Sequence, residues 1–424
     1  MNHWQAVAAT FSELTLTGYR LLALFGYGRA MSASATLLSE AWREDLRFLA
    51  SEMRRTHPDL FFALSEQAFT DAVKSTEEKL PHLSNDQILV ELIKLVALPG
   101  VVGGRDGHSY VPLFQKATGF HALPLQLEHF SGGWFVTHAQ AAYQKLVGRR
   151  LVRVGSTSAD KVATLLAPLV SRDNEMTLRA RLGDFIVVPE LLRAAGVVED
   201  VDTIPLVLAG CDELGVRAVT GAAYEAWEPL PSLEPFRADY LGDSGTLLID
   251  YNAVQAKTSG GETVRQFSER LRSIVESKKM DRVVVDIRRN GGGNNTTYRP
   301  LLEFLTQTEA VNQPGKLFVM LGRHTFSAAG NFAVDLKRRS HALFVGEPMG
   351  GGVNQYGDNV PVILPNSGLE ARVASRYWQM SAADDVRLTL TPDISVELRA
   401  EDVFAGRDRA LAAALAYAPP DPRK

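Results

Sequence analysis

The chain contains 424 residues with a mass of 46.4 kDa, which predicts two to three domains at roughly 150 residues each. Hydrophobic residues make up 46% and charged residues 22%, which excludes a disordered chain, a collagen-like fibre and a coiled coil. The formal net charge of −4 gives no overall basic balance that would suggest a nucleic-acid partner. The single cysteine, Cys211, excludes an intramolecular disulfide and a cysteine-rich zinc site. The histidines are scattered and no H-E-x-x-H occurs, so we expect neither a metal nor a cofactor.

Residues 1–35 are interpreted as an N-terminal extension. Arg20 precedes a short apolar stretch, 21–27, and small residues follow, which is a weak imitation of a signal peptide. No lysine or arginine precedes Arg20, and the segment carries the acidic Glu13. We therefore favour a cytoplasmic location over a periplasmic or secreted one, and a start at Met31 is an alternative. The apolar runs are shorter than the roughly 18 residues that a membrane-spanning helix needs.

Residues 36–118 are predicted to form a helical domain. Apolar residues recur at helical spacing from 39 to 98. Ser84 and Gln87 match the S-x-x-Q capping pattern that begins a second helix, and Pro99-Gly100 is expected to end it. The domain closes on Asp106-Gly107-His108-Ser109, a predicted turn that leads into a strand.

Residues 119–235 are predicted to be rich in strands, with a Gly-Gly turn inside 130–136. A half-buried strand is expected over 148–155, followed by a short helix over 161–169. This strand and helix resemble a degenerate PDZ-type element, which would hold an extended peptide by strand addition. A purely structural β insert fits the same pattern. The proline-rich run 228–235 is a predicted linker.

The last region, 240–424, alternates strands with helices and predicts an α/β fold with a mostly parallel sheet covered on both faces. The predicted elements are strands over 246–251, 282–287, 316–321 and 342–345, with helices over 262–279 and 327–339.

One of these strands leads into three consecutive glycines, 291–293. Backbone N–H groups at such a turn can face an anion or a developing oxyanion. A flexible turn is the simpler alternative. A nucleotide-binding loop is a third, but the G-x-G-x-x-G spacing and the G-K-[ST] lysine are missing. At the end of the strand, Arg288 is expected to pair with Asp286 or with a loop carboxylate.

A second informative segment is 322–333, where a strand runs into a turn and Ser327 opens a helix. A serine in this position commonly caps the helix. It can equally be a nucleophile, with the N–H of Ala328 directed at the oxyanion position. The position alone favours the cap, because capping serines are common.

Several motifs occur together, in order, in this half of the chain. They are Asp286-Ile287-Arg288 with Asn290 and Gly292-Gly293, Thr325-Phe326-Ser327-Ala328-Ala329, Val345-Gly346-Glu347-Pro348 with Gly350-Gly351, and Thr391-Pro392-Asp393-Ile394. With Asp106-Gly107-His108-Ser109 upstream, the chain resembles the tail-specific (C-terminal processing) serine peptidase family, which includes the tricorn core protease and the repeats of interphotoreceptor retinoid-binding protein. The resemblance implies a crotonase-like core over residues 240–424, with Ser327 as nucleophile.

The processing-protease branch of that family takes its base from a lysine beyond the serine's helix. The lysines after Ser327 are Lys337 and Lys424, and Lys337 would lie about 15 Å along the same helix at a rise of roughly 1.5 Å per residue. A Ser-Lys dyad is therefore not expected. The tricorn-like branch uses a histidine from before the middle domain, and His108 occupies that place. His324 and His341 are rivals by sequence proximity only.

An acidic residue near the last motif assists the tricorn-like site, and we choose Asp385 over Asp384. Tricorn carries glutamate there, so this is a departure from the pattern. Tricorn also has a serine where this chain has Gly107, and Ser109 is a possible substitute.

The resulting hypothesis is a serine-type endopeptidase that cleaves peptide bonds in a peptide or protein substrate through an acyl-enzyme. Gly292 and Ala328 would supply the oxyanion N–H groups. Asn294, Asn295 and Tyr356 are candidate substrate-binding residues, although turn and packing roles fit them equally. The alternatives are an inactive binding module for a hydrophobic ligand or peptide, and an amidase or esterase for a small substrate.

Overall fold

The computed structural model describes residues 39–229 and 232–418. The predictions for the N-terminal extension, and part of the predicted linker, lie outside the described residues. The described residues fall into two compact units. The mixed unit contains 39–229 and 355–378, and the sheet unit contains 232–354 and 379–418. The division into four regions that the sequence suggests stays a prediction.

The helices of the described residues are α1 Ser39–Thr56, α2 Glu66–Lys79, α3 Asn85–Gly103, α4 Ala159–Leu166, α5 Glu175–Ile186, α6 Pro189–Ala194, α7 Gly221–Glu225, α8 Val264–Ser277, α9 Arg299–Gln307, α10 Ala328–Arg339, α11 Ala400–Phe404 and α12 Arg409–Ala416. Among the helices within these residues, none is long and apolar enough to cross a bilayer.

The strands of the same residues are β1 His121–Ala122, β2 Leu125–Phe130, β3 Gly133–Ala139, β4 Leu151–Val154, β5 Thr157–Ser158, β6 Thr203–Leu208, β7 Leu214–Arg217, β8 Val219–Thr220, β9 Phe236–Leu241, β10 Thr246–Tyr251, β11 Arg282–Asp286, β12 Leu317–Leu321, β13 Leu343–Gly346, β14 Asn354–Gly357, β15 Val360–Ile363, β16 Glu370–Val373, β17 Arg376–Gln379 and β18 Ile394–Ser395.

The sheet unit is built on a six-stranded sheet in the order β18-β13-β12-β11-β10-β9. Each neighbouring pair is parallel except β9 and β10, which pair antiparallel at one edge. Val283 and Val285 pack into one hydrophobic cluster while Val284, between them, packs into another. Because side chains alternate across a strand, this sorting shows that both faces of the sheet are covered. The predicted α/β fold with a mostly parallel sheet is confirmed.

The predicted strands and helices of this unit lie within about two residues of the observed ones, the usual uncertainty at element ends. The strand over 246–251 coincides with β10. Helix α8 begins after Thr263, whose hydroxyl accepts from the N–H of Gln266 while the Gln266 side chain accepts from the N–H of Thr263. This reciprocal cap fixes the start of the helix where the apolar spacing begins.

The mixed unit begins with helices α1 to α3, as the sequence predicts. The reciprocal cap of Ser84 and Gln87 is present at the start of α3. The predicted end at Pro99-Gly100 is wrong, because α3 continues to Gly103 and the N–H of Gly104 donates to Gly100 O. A Cβ on Gly100 would lie 2.2 Å from Asp106 O, so this glycine permits the close approach of the turn before His108 rather than ending the helix.

The β-rich part of the mixed unit contains the hairpin β2-β3 and the antiparallel sheet β5-β4-β6-β7. The predicted Gly-Gly turn is confirmed, since Gly132 and Gly133 have φ values of 108° and 118° between β2 and β3. Helix α4 follows β5, where the sequence predicts a short helix. The PDZ-like role of this segment stays a prediction.

A buried ion network lies at the end of β11 in the sheet unit. The Arg288 guanidinium donates to Asp286 Oδ2 from Nη2 at 2.6 Å and to both carboxylate oxygens of Asp408 at 3.0 and 2.7 Å. The Arg288 and Asp408 side chains are 11% and 5% exposed. Asp408 also accepts the N–H of Leu411 and so caps α12. The expected pairing of Arg288 is confirmed, and it ties the C-terminal helix to the strand that precedes the glycine turn.

We expect Asp408→Asn to lower the free energy of unfolding by about 2 kcal/mol, since asparagine keeps the helix cap but removes one charge from a buried pair. Glu303→Gln is the matched control. It removes an ion pair with Arg299, whose side chain is 80% exposed, and should cost much less than Asp408→Asn. Urea unfolding of both variants makes the comparison, and equal losses would contradict the assignment.

Candidate active site

Ser327 lies between β12 and α10 in a strained backbone conformation, with φ 53° and ψ −127°. A residue with a side chain rarely adopts a positive φ, and the cost is about 1–3 kcal/mol. Ser327 is partly exposed, and its side chain makes no capping hydrogen bond to the helix that it precedes. The capping interpretation is therefore wrong. A serine held on a sharp strand-to-helix turn is the arrangement that presents a nucleophile.

The turn before Ser327 is fixed to the glycine turn after β11. Thr325 donates from Oγ1 to Ile287 O at 2.8 Å, and the N–H of Phe326 donates to Asn290 O at 3.1 Å. Asn290 is fully buried and also donates from its side chain to Tyr251 O at 2.8 Å. These bonds connect the ends of three neighbouring strands, so the strained serine rests on the sheet itself.

A third loop, which contains Gly351, also supports the turn before Ser327. The N–H of Gly351 donates to Thr325 O at 2.9 Å. A Cβ on Gly351 would lie 3.4 Å from Phe326 Cα and 3.5 Å from Ser327 N. These are ordinary van der Waals distances, so the support that Gly351 gives to the turn is its backbone hydrogen bond.

Gly292 forms the wall next to Ser327. Its φ is 109°, and a Cβ there would lie 2.7 Å from Ser327 Cβ and 3.0 Å from Ala328 N. The N–H of Gly292 donates to Asn290 Oδ1 at 3.0 Å. The N–H of Ala328 is the first of α10, a position from which no carbonyl of the helix can accept it. The geometry therefore favours Ala328 as an oxyanion donor, whereas Gly292 would first have to exchange its bond with Asn290.

Asn294 and Asn295 follow the glycine turn and hold local contacts. The Asn294 side chain is exposed and accepts from the N–H and hydroxyl of Thr296. Asn295 accepts at Oδ1 from the side chain of Asn331 on α10, at 2.9 Å. Their substrate-binding role stays a prediction.

Asp385 lies in the sheet unit with its carboxylate already engaged. It accepts from the Arg387 guanidinium at 2.6 Å and from the Ser381 hydroxyl at 2.5 Å. The hydrogen bond from Arg387, followed by that from Ser381, holds the pKa of Asp385 well below its usual range. Asp384 is exposed. The expected support of a histidine by Asp385 stays a prediction.

The remaining candidate bases of the sheet unit have other roles. Lys337 lies on α10 and donates from Nζ to both oxygens of Asp393, at 2.7 and 2.8 Å. His324 is buried in the turn before Ser327. His341 is exposed after α10, and its backbone N–H donates to the side chain of Asn312.

His108 lies in the mixed unit, in the turn that follows α3. Its side chain is buried. Burial, and then the positive charge of Arg181, lower the pKa of His108 to about 4, while Asp106 and a hydrogen bond with the backbone of Tyr356 raise it. The imidazole is therefore neutral at pH 7, which is the protonation state that a general base requires.

Tyr356, also in the mixed unit, belongs to a group of packed rings. Its ring centroid lies 4.5 Å from that of His57, 4.7 Å from that of Phe62 and 4.9 Å from that of Tyr377. Its backbone N–H donates to Arg105 O at 2.7 Å. Tyr356 thus packs beside the turn that carries His108. A contact with substrate stays a prediction.

The sequence reasoning missed two buried residues, His57 and Asn290. His57 follows a helix about 50 residues before the D-G-H motif, and nothing in its local sequence connects the two. Asn290 stands in a motif of the resembled family, but the motif does not indicate its hydrogen bonds with Tyr251 and Phe326. Within residues 39–229 and 232–418, no cluster of three or more metal-ligating side chains occurs.

Residues 295–396 match the family model described as Peptidase family S41. This segment is similar to peptidase family S41. It contains Ser327 and Asp385, and the resemblance to tail-specific peptidases is confirmed at this level. The chain therefore carries the core of a peptidase, an enzyme class whose substrates are peptides or proteins.

Two solved structures share the fold along most of the chain. A point mutant of CPAF is 13% identical and covers 90% of this chain and 99% of its own, with a TM-score of 0.64. Mature CPAF complexed with lactacystin is 12% identical and covers 89% of this chain and 97% of its own, with a TM-score of 0.60. No curated protein matches the chain.

We expect Gly292→Ala to slow modification of Ser327 by a fluorophosphonate about 100-fold, because the new Cβ would displace Ser327 and Ala328. Gly261→Ala is the matched control, since Gly261 has a φ of 89° but a Cβ there would meet nothing within 4 Å. Both variants carry backbone strain, so only Gly292→Ala should lose reactivity. Similar rates for the two would contradict the packing assigned to Gly292.

The buried His108 should also make stability depend on pH. Its folded pKa of about 4 lies below the unfolded value of 6.5, so the unfolded chain binds the proton first as the pH falls. The contribution to stability is complete above pH 6.5 and is lost as the pH falls toward 4. Between pH 7 and pH 5 we expect a loss of about 2 kcal/mol.

Urea unfolding at the two pH values measures this loss. In His108→Gln, the part of the loss that is due to His108 should be absent. His138 is a useful comparison, because burial lowers its pKa to about 4 as well. His138→Gln should remove a separate share that adds to the first. An unchanged pH dependence in His108→Gln would show that His108 is not held neutral by the fold.

Proposed function

We propose that this protein is a serine-type endopeptidase that cleaves peptide bonds through an acyl-enzyme, with Ser327 as nucleophile and His108 as general base. The observation that carries the proposal is the conformation of Ser327. A partly exposed serine with φ 53° and no capping bond is held by three loops beside the first N–H of a helix. Strain of this kind persists only when neighbouring contacts over-determine it, and it concentrates at functional sites.

In the proposed reaction, Ser327 Oγ attacks the carbonyl carbon of the scissile peptide bond while its proton passes to the imidazole of His108. The carbonyl oxygen becomes an oxyanion and accepts the N–H of Ala328. The tetrahedral intermediate then collapses, the C–N bond breaks, and His108 returns the proton to the leaving amine. Water next attacks the acyl-enzyme with His108 again as base, which releases the acid product and restores Ser327.

His108 is proposed as the base by comparison with the other lysine and histidine candidates. Lys337 is engaged with Asp393, and His324 is buried in the turn before Ser327. His108 is neutral, lies in a D-G-H motif like that of the resembled family, and carries a pKa shifted by burial and Arg181. A strongly shifted titratable group is a candidate for proton transfer. The supporting carboxylate proposed from the sequence is Asp385.

The proposal is tested by labelling the full chain with a fluorophosphonate probe at about pH 8, where a histidine base is neutral. We expect labelling in the wild type, none in Ser327→Ala, and a rate lowered by at least about 1000-fold in His108→Ala. Ser340→Ala is a control for loss of a hydroxyl, since Ser340 Oγ has only local contacts after α10: it donates to Leu336 O and accepts the N–H of Ala342. Near-UV circular dichroism confirms that each variant is folded.

Labelling that persists in Ser327→Ala would contradict the nucleophile, and a His108→Ala rate equal to wild type would contradict the base. A folded wild type that is not labelled would favour the inactive binding module. Labelled protein that cleaves small esters or amides but no peptide library would favour an amidase or esterase.

A further inference from the structure

Asp106 has a carboxylate buried two residues before His108, with its two oxygens in different contacts. Oδ1 accepts the backbone N–H of His108 at 3.1 Å and that of Ser109 at 2.9 Å. The side chain is fully buried. A buried carboxylate without partners would be very unfavourable, so the contacts of the second oxygen decide its state.

That second oxygen faces His57. Nε2 of His57 lies 3.4 Å from Asp106 Oδ2, and both side chains are fully buried. Neither atom makes a hydrogen bond of ordinary geometry among the described residues, and the 3.4 Å approach is the polar contact that each has. Nδ1 of His57 accepts the N–H of Asp59 at 3.2 Å. Since this nitrogen is an acceptor, the proton of the ring lies on Nε2, the nitrogen that is 3.4 Å from Asp106 Oδ2.

The rest of the turn is fixed independently of this pair. The N–H of Gly107 donates to Asp173 Oδ1 at 2.7 Å, and Arg181 donates from Nη1 to Gly107 O at 2.6 Å. The backbone on both sides of Gly107 is therefore anchored to the segment around α5. Asp106 is not needed merely to close the turn, and this leaves the role of its buried charge to be explained.

We propose that Asp106 and His57 are positioning residues for His108. His57 donates to the Asp106 carboxylate and keeps it ionised, and Asp106 holds the backbone of His108 and stabilises the positive charge that its ring gains with the serine proton. The inference rests on the proposed function. It gives Asp106, rather than Asp385, the part of the acidic group that supports the histidine.

The electrostatics of the turn agree with this geometry. Burial raises the pKa of Asp106, but the contacts with His57 and Ser109 outweigh it and hold the pKa below its usual value. The charged groups that act on His108 are Arg181, which opposes protonation, and Asp106, which favours it. Asp385, by contrast, is neutralised by Arg387. Removing the charge of Asp106 should therefore make His108 a weaker base.

The test measures the rate of fluorophosphonate labelling of the full chain from pH 3 to pH 8.5, a range that spans the pKa of about 4 of His108. Asp106→Asn should lower the rate at pH 8 by at least about tenfold and move the acidic limb to lower pH. His57→Gln keeps a donor near the position of Nε2 and should stay within about threefold of wild type. His57→Phe keeps a ring against Tyr356 but has no donor. Its labelling rate at pH 8 should be lowered as much as that of Asp106→Asn.

Asp45→Asn is the matched control. Asp45 is a fully buried carboxylate of the same unit that accepts two backbone N–H groups, from Asn366 at 2.9 Å and Ser367 at 2.8 Å. Its replacement should lower stability but leave the labelling rate of folded protein unchanged. If His57→Phe does not fold, the comparison of Asp106→Asn with Asp45→Asn decides.

The outcomes separate this inference from the function on which it rests. If Ser327→Ala abolishes labelling while Asp106→Asn and His57→Phe label like wild type, the positioning role is wrong and the proposed function stands. A loss in Asp385→Asn without one in Asp106→Asn would also overturn it. If the folded wild type is not labelled at all, the positioning role and the proposed function are both contradicted.

Discussion

A serine with a positive φ cannot hold its own conformation, and the sheet unit is arranged around that constraint. The backbone of Ser327 costs about 1–3 kcal/mol relative to an ordinary turn, and this must be offset by contacts that the strained form alone allows. The bonds from Thr325 and Phe326 to the end of β11, and that from Gly351, supply such contacts. Glycine is required at position 292, where a Cβ would lie 2.7 Å from Ser327 Cβ. The glycine motifs and the strained serine are thus one feature of the fold.

In the mixed unit, burial is the constraint that sets the protonation state of His108. An imidazole in a buried turn loses the hydration that stabilises its charged form, so His108 stays neutral at pH values where an exposed histidine would be protonated. Arg181 strengthens this effect and Asp106 opposes it. A general base needs to be neutral before reaction and to tolerate a proton during it. The opposite charges of Arg181 and Asp106 act on His108 in these two directions.

The sequence predicts the parallel sheet well because its strands are continuous apolar runs between charged or glycine-rich ends. β10, β11 and β12 could be placed from this pattern, and Ser327 from the strand, turn and helix around it. The end of α3 could not, because Pro99-Gly100 is an ordinary stop signal unless one knows that Asp106 O packs against Gly100. Tertiary contact overrides local propensity there.

The same limit explains why the supporting carboxylate is hard to choose from sequence. Asp385 is favoured by its place near the last motif, but its local partners, Ser381 and Arg387, lie within four residues and already satisfy it. Asp106 is adjacent to the candidate base, yet its decisive neighbour, His57, is 49 positions away and carries no motif. Only the fold brings that ring to the carboxylate. A charge two residues from a histidine acquires its function from whether a distant donor keeps it ionised in the core, and this is set by burial and packing that no local pattern records.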